Sequence, residues 1–311
     1  MTVKAKAVRH LITMDDLTND EIIMILEEAK SFKEVLGRDI KKVPALRGKT
    51  VVLLFFEAST RTKISFELAA KRLSADVVNF SASTSSLKKS ESLKDTVRTL
   101  EAMAADVFVM RHSYPGSAQL VAKYIKGAVL NGGDGAHSHP TQALLDMYTI
   151  YEKKGGFKGL KVAIIGDIKH SRVVRSNIEG LTRLGAEVVL CGPSTLLPRY
   201  IEKFNVSVTY NVEEAITDAD VVMGLRIQFE RQKQGLLPTI LEYAQFFQIN
   251  RERLSLAKPD VLLMHPGPIN RGVEIESEVA DSVYSVIDEQ VTNGVAVRMS
   301  LLYFLVGGKD E

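Results

Sequence analysis

The sequence predicts an α/β protein of two domains, each a parallel β-sheet flanked by helices, with ligands bound in an interdomain cleft. Three observations predict it. Short apolar runs alternate with amphipathic stretches through most of the chain, the order expected when helical crossovers join parallel strands. At 311 residues and 45% hydrophobic content, the chain exceeds the usual size of one core. Polar clusters also sit directly after the apolar runs, at 57–62, 111–112, 132–139, 166–172, 226–228 and 265–268. In open parallel sheets the crevice beyond the strand carboxyl ends is where ligands bind.

The elements follow in order. Thr18 and Glu21 have the spacing of a capping box, and Ile22, Ile25, Leu26, Ala29, Phe32 and Leu36 recur at helical intervals behind them. Strands are predicted over 50–56, 76–80, 106–110 and 128–131, with helices over 64–73, 92–103 and 117–125. A helix over 141–154 ends in Gly155-Gly156, a stop signal. A second series then begins at Lys161: strands over 161–165, 187–191, 207–210, 220–225 and 260–264, and a helix over 173–184. The change near Gly155 places the boundary between domains 1–150 and 151–284. The last helical pattern covers 281–306, with a break expected near Asn293-Gly294. There is no internal repeat and no low-complexity tract.

Composition narrows the function. Lys and Arg number 40 against 38 Asp and Glu, too even a balance to hold a polyanion, so no nucleic-acid partner is expected. One cysteine, Cys191, allows no intrachain disulfide and no Cys-cluster metal site, and no metal or other cofactor is expected. Cys191 ends a predicted strand and reads as an inert core or strand-end residue. No apolar run reaches the roughly 18 residues that span a bilayer, and the basic first ten residues lack the apolar stretch of a signal peptide. A cytoplasmic protein without a membrane partner is the expectation.

Ser59-Thr60-Arg61-Thr62 follows a strand and opens a helix. Unpaired N–H groups and the positive end of the helix dipole, joined by hydroxyls and a guanidinium, make a phosphate seat. Helix capping alone would account for the hydroxyls but not for Arg61. No G-x-x-x-x-G-K-[ST] occurs, and Ile165-Gly166-Asp167 is not followed by G-x-G-x-x-G spacing, which disfavours nucleoside triphosphates and dinucleotides.

The segment 55–62, Phe-Phe-Glu-Ala-Ser-Thr-Arg-Thr, with Ser65-Phe66-Glu67, resembles the carbamoyl-phosphate signature of the aspartate/ornithine carbamoyltransferases. His139-Pro140-Thr141-Gln142 is similar to a second motif of that family and Met110-Arg111-His112 to a third, in the same order along nearly the whole chain. The resemblance implies that Ser59, Thr60, Arg61 and Thr62 hold the phosphate with Arg111 beside it, and that His139 and Gln142 address the carbamoyl carbonyl and amide. It further implies carbamoyl-phosphate contacts from Pro266 and Gly267, and a C-terminal helix, about 285–311, that packs back on the first domain. His139 by itself would read as a packed histidine near a helix start. His137 falls outside the motif and reads as a loop residue. The polar stretch 81–92 would by composition be a solvated turn. In the family it reaches a neighbouring subunit's active site, and Ser85 and Lys89 match the residues supplied that way, although Lys89-Ser90-Glu91 stands where Lys-Gly-Glu is usual.

The second substrate is chosen by charge. A dicarboxylate needs cationic donors, and the arginine fork suits carboxylates. Arg172 matches one aspartate-binding arginine of the family, and Arg226 and Gln228 match the other group, with Lys89 also expected to contact aspartate. Either arginine alone would read as a surface ion pair. Ornithine enzymes typically carry His-Cys-Leu-Pro where this chain has His265-Pro266-Gly267-Pro268; aspartate enzymes often have leucine at the position of Gly267.

The resemblance therefore implies transfer of the carbamoyl group of carbamoyl phosphate to the α-amine of L-aspartate, as in pyrimidine biosynthesis, by a homotrimer with shared active sites. Arg61, Thr62, Lys89, Arg111 and His139 are the expected catalytic residues. Association with regulatory or dihydroorotase chains is left open. The alternatives are a transcarbamylase for ornithine or a related amine, and a non-catalytic anion-binding homologue.

Overall fold

In the computed structural model, which describes residues 10–81, 91–228 and 239–307, the chain forms two compact units. One comprises the residues up to Leu144 together with those from Thr292 onward; the other is Leu145–Val291.

The first unit is built on the strands β1 (His10–Leu11), β2 (Thr50–Phe55), β3 (Asp76–Ser81), β4 (Val107–His112) and β5 (Ala128–Asp134). They form an all-parallel sheet in the order β1-β5-β4-β2-β3. Val51, Val52, Leu53 and Leu54 are buried in succession, as are all residues of β5. Unbroken burial of this kind marks a strand covered on both faces. Phe108, Met110, Val97 and Val121 join strand and helix in one core.

The second unit repeats the plan with β6 (Lys161–Ile165), β7 (Glu187–Cys191), β8 (Ser207–Thr209), β9 (Val221–Gly224) and β10 (Leu262–Met264). Its parallel sheet has the order β10-β9-β6-β7-β8. Ala163, Ile165, Val222, Leu263 and Ile275 belong to its core.

In each sheet the strand order reverses at one place. The chain leaves β2 toward β3 on one side and returns to β4 on the other; in the second sheet the reversal lies between β6 and β9. Binding crevices of open α/β sheets open at such points, at the carboxyl ends of the strands. Registers pair Phe55 with Arg111 and Ile165 with Gly224, so these four residues mark the two switch points.

Several elements depart from the sequence reading. β1 is a two-residue strand, too short for any periodic signal. Helices Val212–Ile216, Ile240–Phe247, Arg251–Leu254 and Ser277–Ala280 were not expected and are mostly short. The expected break at Asn293-Gly294 is absent: one helix runs Ile287–Val306. Asn293, Ala296, Val297 and Ser300 are buried along it, so tertiary packing outweighs the helix penalty of about 1 kcal/mol for Gly294. The other stop is as expected: Gly155 takes φ 75°, and its N–H reaches Tyr151 O at 2.9 Å. Among the described residues, no helix is long and apolar enough to cross a membrane.

Candidate active site

In the first unit, the helix Thr60–Arg72 begins just after β2, so Ser59 is its N-cap and Thr60, Arg61 and Thr62 form its first turn. Ser59 occupies the cap position without capping: its hydroxyl accepts no backbone N–H of the helix. The contrast with the cap residues Thr18, Ser92, Ser171, Thr239 and Asn250 is direct, since each of those accepts from the third residue onward. Capping therefore does not explain Ser59. Charge points the same way. Helices Asn19–Leu36 and Leu93–Ala102 carry acids in the first turn, as the helix dipole favours, whereas Thr60–Arg72 carries none and places a cation, Arg61, there. An anion seated on this turn would complement both the dipole and the guanidinium.

Arg111 is the penultimate residue of β4, in register with Phe55 of β2. Its Nη1 donates to Gly132 O at 3.1 Å and its Nη2 to Glu57 Oε1 at 3.0 Å, while its backbone O accepts from Phe56 N at 2.9 Å. Glu57, two residues after the β2/β4 register mark at Phe55, thus holds the arginine at the carboxyl end of β2. Next to it, burial pushes the His112 pKa down. A neutral ring fits its geometry, because Nδ1 accepts from Tyr114 N at 3.0 Å.

His139 is buried immediately before the helix Pro140–Lys154, and Thr141 Oγ1 lies 3.3 Å from its Nδ1. Its carbonyl accepts from Gln142 N and Ala143 N at 3.0 and 3.2 Å, which fixes Gln142 on the first turn. The preceding turn is built on Asp134, buried and accepting from Asn131 Nδ2, Ser138 N and Gly116 N. His137 pairs with Asp134 at 3.0 Å, a structural partner in the loop.

In the second unit, Arg172 opens the helix Arg172–Arg183 after its cap Ser171. Only 4% of Arg172 is exposed. Here too the first turn has no acid. Arg172 thus sets a buried guanidinium at a helix N-terminus. Arg226 and Gln228 follow β9, across the switch point. Gly166 allows the close approach: it has φ 134°, and a Cβ there would lie 2.8 Å from Leu225 O. Gln228 N donates to Asp167 Oδ2 at 3.4 Å, and the same buried carboxylate accepts from His170 N and pairs with His170 Nδ1.

Pro266 and Gly267 follow β10, where Gly267 N donates to His265 Nδ1 at 2.8 Å and His265 N to Gln290 Oε1 at 2.9 Å. The first unit thus collects Ser59, Thr60, Arg61, Thr62 and Arg111 around one strand switch, with His139 and Gln142 on the turn after β5. The second collects Arg172, Arg226 and Gln228 around another. Ser85 and Lys89 lie outside the described residues. Among the described residues, no group of three or more His, Cys, Asp or Glu is placed to hold a metal ion.

Sequence reading missed Glu274. It is 1% exposed, accepts from Ile227 N at 2.9 Å, and accepts from both Asn270 N and Asn270 Nδ2. No local pattern flags a residue that joins a near neighbour, Asn270, to a partner 47 residues away, Ile227. Burial raises its carboxyl pKa, against the pull of the N–H donors.

Comparisons with known proteins find matches along both parts of the chain. A family model described as aspartate/ornithine carbamoyltransferase, carbamoyl-P binding domain, matches residues 9–152, and one described as the Asp/Orn binding domain matches 158–305. The aspartate carbamoyltransferase catalytic subunit of Moorella thermoacetica is 60% identical over 302 residues, covering 97% of this chain and 98% of the relative. That of Caldanaerobacter subterraneus subsp. tengcongensis is 62% identical over 297 residues, covering 96% and 97%. Among solved structures, the aspartate transcarbamoylase of Trypanosoma cruzi in complex with N-(phosphonacetyl)-L-aspartic acid superposes with a TM-score of 0.87 at 30% identity, covering 96% of each chain. The ornithine carbamoyltransferase of Pyrococcus furiosus superposes with a TM-score of 0.86 at 33% identity, covering 97% and 98%.

Proposed function

The chain belongs to the aspartate/ornithine carbamoyltransferase family, and on that premise we propose that it transfers the carbamoyl group of carbamoyl phosphate to the α-amine of L-aspartate. The products are N-carbamoyl-L-aspartate and phosphate, and the step belongs to pyrimidine biosynthesis. The observation that carries the choice of aspartate is the 60% identity to an aspartate carbamoyltransferase catalytic subunit over 97% of this chain, with Arg172 buried at a helix start beside the second switch point. A dicarboxylate complements it; the cationic side chain of ornithine does not. Fold similarity alone does not choose, since an ornithine enzyme superposes as well as an aspartate enzyme.

In this reading Ser59, Thr60, Arg61, Thr62 and Arg111 hold the phosphate, and Gln142, Pro266 and Gly267 hold the carbamoyl group. Attack by the amine builds negative charge on the carbamoyl oxygen, and Thr62, Arg111 and His139 are the donors that stabilise it. Arg172, Arg226 and Gln228 orient aspartate by its carboxylates. No covalent intermediate is needed, because a neutral amine is an adequate nucleophile; the departing phosphate accepts its proton. The chain's contribution is alignment and charge stabilisation. Ser85 and Lys89 are contributed by a neighbouring copy in a homotrimer that works in the cytoplasm. Relatives designated catalytic subunits leave room for accessory regulatory or dihydroorotase chains.

Initial rates with carbamoyl phosphate plus aspartate, set against carbamoyl phosphate plus ornithine, test this reading. Aspartate is expected to be the substrate. Faster turnover of ornithine would overturn the choice, and tight binding of carbamoyl phosphate with no turnover of either amine would mark a non-catalytic homologue.

A further inference from the structure

The two loops of the second unit that carry substrate-directed residues share one buried anchor. The segment 225–228 bears Arg226 and Gln228; the segment 265–270 bears Pro266 and Gly267. Between them stands Glu274, whose Oε1 accepts from Ile227 N at 2.9 Å and from Asn270 Nδ2 at 2.7 Å, while its Oε2 accepts from Asn270 N at 2.9 Å. Ile227 is the residue between Arg226 and Gln228, so its N–H sets the direction in which both neighbours leave the backbone. The anchor itself is rigid. Glu274 O accepts from Ile249 N at 2.9 Å, and the next residue, Ile275, is fully buried in the core against Ile249 and Gly224.

Three donors converge on the two oxygens, and a carboxylate is the side chain of this length that can accept from all of them. An amide cannot: whichever way it turns, its NH2 faces an N–H of one loop or the other. Burying a carboxylate is costly, and two loops could be packed together by apolar contacts at less expense. What the carboxylate adds is a fixed registration of one backbone against another.

We propose that Glu274 is a positioning residue that locks the Arg226–Gln228 segment to the Pro266–Asn270 segment, and so holds the aspartate-binding groups in register with those that contact the carbamoyl group. The inference rests on the proposed reaction and goes beyond it by adding a residue that touches no substrate.

The test is steady-state kinetics of the full-length Glu274→Gln protein beside the unmodified one, with thermal unfolding recorded on both. The expected result is a rise of about tenfold or more in KM for aspartate, with kcat falling by a smaller factor and carbamoyl-phosphate affinity staying within about threefold. Glu274→Asp, which keeps the charge and shortens the reach, should fall between the two. An unchanged KM for aspartate with a lowered melting temperature would overturn the proposal, because it would make Glu274 a structural prop. If Glu274→Gln does not fold, Asn270→Ala removes a single donor and is read the same way: a rise of about threefold or more in KM for aspartate supports the proposal, and no change overturns it. Absence of aspartate turnover in the unmodified protein would instead defeat the proposed reaction, so the two failures are distinguishable.

Discussion

At the scale of single residues, charge is placed against expectation at two helix starts. Arg61 and Arg172 occupy first turns of helices, where the dipole disfavours a cation, and Arg172 is buried as well. Both arginines were legible in the sequence because each lies in a polar cluster after a strand, Arg172 directly after Ser171 and Arg61 after Ser59-Thr60. Glu274 was not, because the N–H of Ile227, 47 residues away, reaches it only through folding. Cys191 shows the opposite case, a reactive residue type that is chemically silent. Burial pushes its thiol up to about 12 from an ordinary value of 9.0. The group therefore contributes stability below pH 9.0 that is lost as pH rises toward about 12, since the unfolded chain ionises first. Alkylation with iodoacetamide at pH 8 should leave the native protein unlabelled and modify Cys191 once denaturant is added. Rapid labelling of the native protein would show that the thiol is neither buried nor protonated.

At the scale of elements, two helix starts separate stability from function. Thr18 and Glu21 form a complete capping box: Thr18 Oγ1 accepts from Glu21 N at 3.2 Å, and Glu21 Oε2 accepts from Thr18 N at 2.7 Å. Thr18→Ala should cost about 1 kcal/mol of stability and leave the kinetics unchanged. Ser59→Ala should do the reverse. Its hydroxyl caps nothing, so stability should change by less than about 0.5 kcal/mol. Carbamoyl-phosphate affinity should fall by roughly tenfold, the loss of one charge-assisted hydrogen bond. Denaturant unfolding and a binding titration on both proteins check the contrast; a large stability loss in Ser59→Ala would mean that the serine is a cap after all. The strands of both sheets were legible because strands buried on two faces need continuous apolar runs. The short helices after β8 and β9 were not, being four to eight residues long with too few turns to show a period. The continuous helix Ile287–Val306 was hidden by Gly294, whose local preference is outweighed by burial of its neighbours.

At the scale of the whole molecule, two parallel sheets repeat one plan, and each gathers its polar residues where its strand order reverses. The alternation of strands and helices made the fold class readable, and the polar clusters after the strands marked out the candidate site. Which strands are neighbours was not readable, because a parallel crossover leaves no trace of its partner in local sequence. Assembly is a separate question, and Lys89 poses it. If a neighbouring copy supplies Lys89, proteins carrying Arg61→Ala and Lys89→Ala, each inactive alone, should regain activity when their subunits exchange. No recovery despite demonstrated exchange would show that both residues serve the same chain's site.

The division of labour between the two units rests on Arg172 receiving the second substrate and not the first. The most direct measurement is on Arg172→Met, which keeps the buried volume and removes the charge: KM for aspartate and the dissociation constant of carbamoyl phosphate, determined on one preparation. The expected result is a rise of more than about tenfold in KM for aspartate, with carbamoyl-phosphate affinity within about twofold of the unmodified protein. An unchanged KM for aspartate, or an equal loss of both affinities, would contradict it.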